Sequence, residues 1–167
     1  LLAAAQSTPA EADDHVTRLP IDRSFSMKGF GTVVTGTLAS GEIKAGDELE
    51  LLPERRRVKV RGLQSHGRAA ETVTAGRRVA VNLSGVGHDD IERGALLAAA
   101  GVLEPTQMLD AAVEVLSDSA RPLRSRQRLR FHIGTAEVLA RVKILNDVGE
   151  ISPGSSGHAQ FTLESPV

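Results

Sequence analysis

Apolar residues in this chain recur at a period of two in short runs, and Gly, Pro and Asp interrupt those runs about every 8–12 residues. An amphipathic helix would need its apolar face to return every 3.6 residues, and no segment longer than about two turns does so. The pattern restricts the chain to an all-β fold of short antiparallel strands. Gly31-Thr32-Val33-Val34-Thr35-Gly36-Thr37-Leu38, rich in β-branched residues, is the clearest strand. Glu48–Leu52 alternates charge with Leu, and Arg57–Leu63 is basic on one face and apolar on the other. Arg78–Leu83 is a further strand, followed by a turn at Asp89–Gly94. Thr17–Arg23 alternates imperfectly, and its Pro20 suits an edge or a bulge. Beyond a hinge at Gly101–Pro105, strands are expected at Met108–Leu116, Arg128–Ile133, Glu137–Leu145 and His158–Leu163. Such spacing predicts two small antiparallel β-barrels in tandem, at 15–100 and 101–167. Residues 1–14, apolar and then small and acidic, read as a helix stub and a linker.

Composition narrows the function classes. Aromatics make up 2% of the chain, with no Trp and no Tyr, so the core must be aliphatic and there is little on which to stack bases. The absence of Cys excludes disulfides and thiolate metal sites and fits a cytoplasmic protein. No apolar run is long enough to span a membrane as a helix. The net charge of −1 hides a gradient: residues 15–100 carry 13 Lys and Arg against 10 Asp and Glu. A basic middle is compatible with a polyanionic partner.

Catalytic signatures are missing. No G-x-x-x-x-G-K-[ST] loop occurs, and Gly29-x-Gly31-x-x-x-x-Gly36 lies inside a strand pattern, where glycines serve tight barrel bends. His15, His66, His88, His132 and His158 are scattered without ligand spacing, so no metal site is expected. No serine stands in a G-x-S-x-G elbow. The densest electrostatic feature is Arg55-Arg56-Arg57-Val58-Lys59-Val60-Arg61. It is either a solvated strand face or a ridge that contacts an RNA backbone. Arg121–Arg130 poses the same choice.

Leu19-Pro20-Ile21-Asp22-Arg23-Ser24-Phe25-Ser26-Met27-Lys28-Gly29-Phe30-Gly31-Thr32-Val33-Val34-Thr35-Gly36-Thr37, then Glu42–Leu49 and Ile91–Leu97, resembles domain II of the translational GTPases related to elongation factor Tu. Within that superfamily, Ile21-Asp22-Arg23, Arg61–Gly67 and Phe131–Val138 resemble the SelB family of selenocysteine-specific translation elongation factors. The resemblance implies domain II at 15–100 and the start of domain III at 101–167, with further strands expected after Val167 to complete the second barrel. A shortened barrel would leave edges open to self-association. It also implies that GTP and Mg2+ are bound by a GTPase domain preceding residue 1, so this chain itself holds no cofactor and is not an enzyme. The implied partners are selenocysteinyl-tRNA, the ribosome, the chain's own GTPase domain and, through C-terminal domains, a messenger hairpin. Domains II and III of elongation factor Tu itself, or a barrel serving as a protein-interaction module, are the alternatives.

By the same resemblance Asp22, Arg23 and Arg78 line the aminoacyl pocket. A selenol is more acidic than a thiol, whose ordinary pKa is about 8.5, so selenocysteine is largely an anion at neutral pH while its precursor serine is neutral. Guanidiniums that hydrogen-bond the anion would discriminate on the order of tenfold to several-hundredfold. The bland alternative is an exposed Asp22–Arg23 ion pair of little consequence.

Overall fold

A computed structural model describes residues 16–167, and the linker and helix stub expected at 1–14 lie outside the described residues. The chain is almost wholly β, in two compact units that divide between Glu104 and Pro105.

The first unit contains β1 (Arg18–Met27), β2 (Gly31–Thr37), β3 (Glu42–Lys44), β4 (Glu48–Leu52), β5 (Arg56–Ser65), β6 (Arg68–Ala70), β7 (Thr72–Thr74), β8 (Arg78–Ser84) and β9 (Leu96–Ala99). One turn of 3-10 helix, His88–Asp90, precedes β9. The strands pair antiparallel in the order β4-β9-β1-β2-β8-β5, and β4 pairs with β5 as well, so the sheet closes on itself as a six-stranded barrel. Closure removes sheet edges and seals one face from water. β6 extends β5 outside the ring, and β3 pairs with β7 as a separate ribbon. The sealed face carries Leu19, Ile21, Val34, Leu51, Val60, Val79, Val81 and Leu97, each 0–1% exposed. Burying such a side chain contributes roughly 1.5–3 kcal/mol.

Two bulges interrupt the alternation. In the β1–β2 ladder Ile21 pairs with Gly36 and Arg23 with Thr35, so Asp22 is an extra residue on β1. Leu19 and Ile21 point into the core, Asp22 and Arg23 both face out, and Ser24 resumes on the side of its partner, the buried Val34. The imperfect alternation of Thr17–Arg23 is this bulge. Beside it β1 and β2 approach so closely that a Cβ on Gly36 would lie 2.2 Å from the Pro20 carbonyl oxygen, so only Gly fits. In the β5–β8 ladder Val60 pairs with Leu83 and Gly62 with Asn82, leaving Arg61 as the extra residue. A strict period of two would put Leu63 on the basic face, and the bulge returns it to the core at 3% exposure.

The second unit contains β10 (Met108–Glu114), β11 (Leu123–Arg124), β12 (Arg128–Ile133), β13 (Ala136–Ile144), β14 (Glu150–Ile151) and β15 (Ser156–Leu163). Its main sheet runs β10-β15-β13-β12, and β11 pairs with β14 apart from it. Ala140, Val142, Ile144, Ile151, Ala159, Phe161 and Leu163 form its buried core, and the Phe131 and Phe161 rings meet at a centroid distance of 5.3 Å. Among the described residues no helix is long and apolar enough to cross a membrane.

Candidate functional site

The β1 bulge makes the site. It turns Asp22 and Arg23 outward together, next to Thr35 on β2 and Arg78 at the start of β8. The Arg78 guanidinium donates from Nη1 to Asp22 Oδ2 at 2.6 Å and from Nη2 to Asp22 Oδ1 at 3.0 Å. The Thr35 hydroxyl donates to Asp22 Oδ1 at 2.7 Å. These bonds cross three neighbouring strands and fix the carboxylate in one orientation. Hydrogen bonds from Arg78 hold the Asp22 carboxyl below the usual carboxylate range against the opposing effect of partial burial. The Thr35 hydroxyl and the positive fields of Arg78 and Arg23 act in the same direction as the bonds. The same pairing raises Arg78 above the ordinary guanidinium value.

Asp22, Arg23 and Arg78 line one solvent-open cavity of about 540 Å³, and Arg93 completes its lining. The structure thus brings together the three residues singled out from sequence and adds a fourth. Arg93 sits in the turn before β9, where Gly94 adopts φ +101°, a conformation that favours Gly. The Gly94 N–H donates to the Ile21 carbonyl at 3.3 Å, and the Ile21 N–H donates to the Ala95 carbonyl at 2.8 Å. The Ser24 hydroxyl lies 3.0 Å from the carbonyls of both His88 and Ile91. The turn is therefore pinned on either side of Asp22-Arg23, and three guanidiniums face one carboxylate. The sequence signal for Arg93 was its place in Ile91–Leu97, but its proximity to Asp22 depends on main-chain bonds across roughly 70 residues of chain.

The basic run divides into two kinds of residue. Arg55 lies 3.8 Å from carboxylate oxygens of both Glu50 and Glu104, and Arg56 donates to Asp90 at 2.8 Å. Arg57, Lys59 and Arg61 project from the outer face of β5, all exposed. In the Arg121–Arg130 run, Arg124 pairs with Glu150 at 2.9 Å, Arg128 with Glu164 at 2.7 Å and Arg130 with Glu137 at 3.3 Å. His66, His88, His132 and His158 do not converge, and no three His, Asp or Glu among the described residues are placed to hold a metal ion.

Comparison with known proteins agrees with this architecture. Residues 31–98 match the family described as elongation factor Tu domain 2. The chain is 45% identical over 150 residues to a selenocysteine-specific elongation factor of Desulfomicrobium baculatum, covering 90% of this chain and 24% of that protein. It is 39% identical over 137 residues to the selenocysteine-specific elongation factor of Escherichia coli (strain K12), covering 81% of this chain and 22% of that protein. The crystal structure of translation elongation factor SelB from Methanococcus maripaludis in its apo form superposes with a TM-score of 0.83 at 26% identity, covering 99% of this chain and 39% of that one. The chain spans about a quarter of the length of these curated relatives, in a region that includes domain 2 rather than the catalytic domain.

Proposed function

We propose, for a chain that belongs to the selenocysteine-specific elongation factors and carries their elongation factor Tu domain 2 barrel, that the Asp22–Arg23–Arg78 cavity receives the aminoacyl end of selenocysteinyl-tRNA during delivery to the ribosome. The observation that carries this reading is the convergence of Asp22, Arg23 and Arg78 on one cavity with a surplus of positive charge.

The residue types suit the cargo. At neutral pH a selenolate brings a negative charge that a seryl hydroxyl lacks. Guanidiniums stay charged at every relevant pH and offer several N–H donors in a planar fork. Asp22 engages both Nη atoms of Arg78 and keeps that side chain against the wall, while Arg23 and Arg93 add positive field from the other sides. A bonded carboxylate costs some of that field but gives the cavity a defined shape before the ligand arrives, which lowers the ordering cost of binding.

On this reading GTP and Mg2+ act in a GTPase domain of the full-length factor. The described residues do not fit them: the barrel has no strand–loop–helix phosphate cradle, and no carboxylate cluster suits a metal ion. This chain's part is to hold the cargo and present it. The test is Arg78→Ala in the full-length factor, with binding of selenocysteinyl-tRNA and seryl-tRNA measured side by side. Affinity for the selenocysteinyl form should fall about tenfold more than for the seryl form, near the low end for a charge-assisted bond because Arg78 is half exposed. Equal losses for the two ligands refute the selenolate contact.

A further inference from the structure

We propose that the outer face of β5, with Arg57, Lys59 and Arg61, holds the phosphate backbone of the same RNA whose aminoacylated end enters the cavity. This rests on the cavity reading above. Most neighbouring cations are already engaged: Arg55 with Glu50 and Glu104, Arg56 with Asp90, and Arg78 with Asp22. Among the described residues Arg57, Lys59 and Arg61 form neither an ion pair nor a side-chain hydrogen bond. The two carboxylates across the β4–β5 ladder leave this row largely uncompensated. Glu50, opposite Arg57, is buried and accepts from the Gly101 N–H at 3.0 Å, which leaves exposed Glu48, opposite Lys59.

Geometry connects the row to the cavity. Neighbouring cations on one strand face stand about 6.7 Å apart, comparable to successive phosphates along a nucleic-acid strand, and the row spans about 13 Å. Arg61 stays on the outer face with Arg57 and Lys59, and the bulge there returns Leu63, two residues on, to the core. Beyond Arg61 the strand runs toward the cavity: Gln64 pairs with Ala80, and the Ser65 hydroxyl lies 3.0 Å from the Arg78 carbonyl. From Arg61 to Ser65 is about 13 Å along β5, so one extended RNA strand can lie on the row and end at Arg78.

The chemistry selects a phosphate backbone over other anions. The exposed residues of β5 include no large apolar or aromatic side chain to anchor a protein partner. With no aromatic to stack on a base, contacts would reach phosphates and be independent of sequence. The contrasting Arg121–Arg130 run has three of its arginines tied to glutamates.

The experiment is a salt series of binding by the full-length factor to selenocysteinyl-tRNA and seryl-tRNA, with the wild type and the triple variant R57Q/K59Q/R61Q. The triple variant should bind both RNAs more weakly by the same factor and flatten the slope of log K against log salt by about 2. Glu48→Lys, which adds a cation beside Lys59, should steepen the slope by about 1 for both. An unchanged slope in the triple variant overturns the proposal, as does a loss confined to the selenocysteinyl form. Intact tRNA binding with weakened attachment to the ribosome or to an acidic protein also overturns it, and assigns the face to that partner. The cavity reading fails separately, when Arg78→Ala leaves selectivity unaltered whatever the slopes do.

Discussion

The barrel in the first unit and the open sheet in the second draw on the same aliphatic side chains, yet they exclude water to different degrees. Among the described residues, eleven of the twelve largest fully buried side chains lie in the first unit, and Val142 represents the second. The first unit is the longer, but length does not account for such a ratio. Closing six strands into a ring gives every inward residue neighbours on all sides. In the β10-β15-β13-β12 sheet, Leu109, Ala111, Val113, Leu129, Phe131 and Val138 belong to the core and are only half buried. The aromatic residues divide the other way. Phe131 and Phe161 fill the second core against each other, whereas Phe30 is 53% exposed in the turn between β1 and β2. Topology more than composition decides how much of an apolar side chain is hidden.

Matched truncations put that contrast at risk most directly. Leu97→Ala removes a fully buried side chain from the closing strand of the barrel and should cost about 4 kcal/mol, while Leu129→Ala in the half-buried face should cost about 1–2 kcal/mol. Urea unfolding followed by circular dichroism measures both, since the chain lacks Trp and Tyr as fluorescent reporters. Equal losses would break the comparison. Gly36→Ala probes the tightness of the ring itself: with the Pro20 carbonyl 2.2 Å from the new carbon and Leu19 Cδ1 at 2.9 Å, strands must separate at a cost of about 3 kcal/mol. A tolerated alanine would mean that the ring relaxes more readily than its packing implies.

The smallest expected effect is electrostatic. Arg78 lowers the carboxyl pKa of Asp22, and Arg128 lowers that of Glu164, so each acid binds a proton more readily in the unfolded chain. The stabilisation is therefore complete above the ordinary carboxylate pKa of about 3.9–4.3 and disappears as pH falls through the lower folded value. The melting temperature of Asp22→Asn should lie below that of the wild type at neutral pH and meet it in strong acid. Glu164→Gln should show a smaller gap, because Glu164 is 48% exposed and Asp22 only 24%. A larger gap for Glu164→Gln would reverse the ranking of the two units.

Most strands were legible because a barrel wall imposes a period of two on residues such as Thr32-Val33-Val34-Thr35. β9 was not, since Leu96-Leu97-Ala98-Ala99 has no β-branched residue and becomes a strand only by pairing with β1 and β4. β3, β6 and β7, at three residues each, are too short to show a period at all. Asp22, Arg23 and Arg78 were nameable through resemblance, but their approach depends on the order β1-β2-β8, which no local pattern encodes. The nearness of Arg93 to Asp22 is hidden in the sequence for the same reason. The division of the basic run into tied and untied cations was also hidden, because Glu50, Asp90 and Glu104 reach Arg55 and Arg56 only in the folded ring.

The extra residue at position 22 reaches beyond its own carboxylate. It changes the parity of β1: odd-numbered positions look inward before it and even-numbered ones after it. Removing one residue there would restore strict alternation: Ser24, which anchors the Arg93 turn, would keep its side, but only one outward side chain would stand between Ile21 and Ser24 where the cavity uses two. Evolution can exchange letters at this point of the chain, but the count of letters is as much a part of the cavity as the charges that line it.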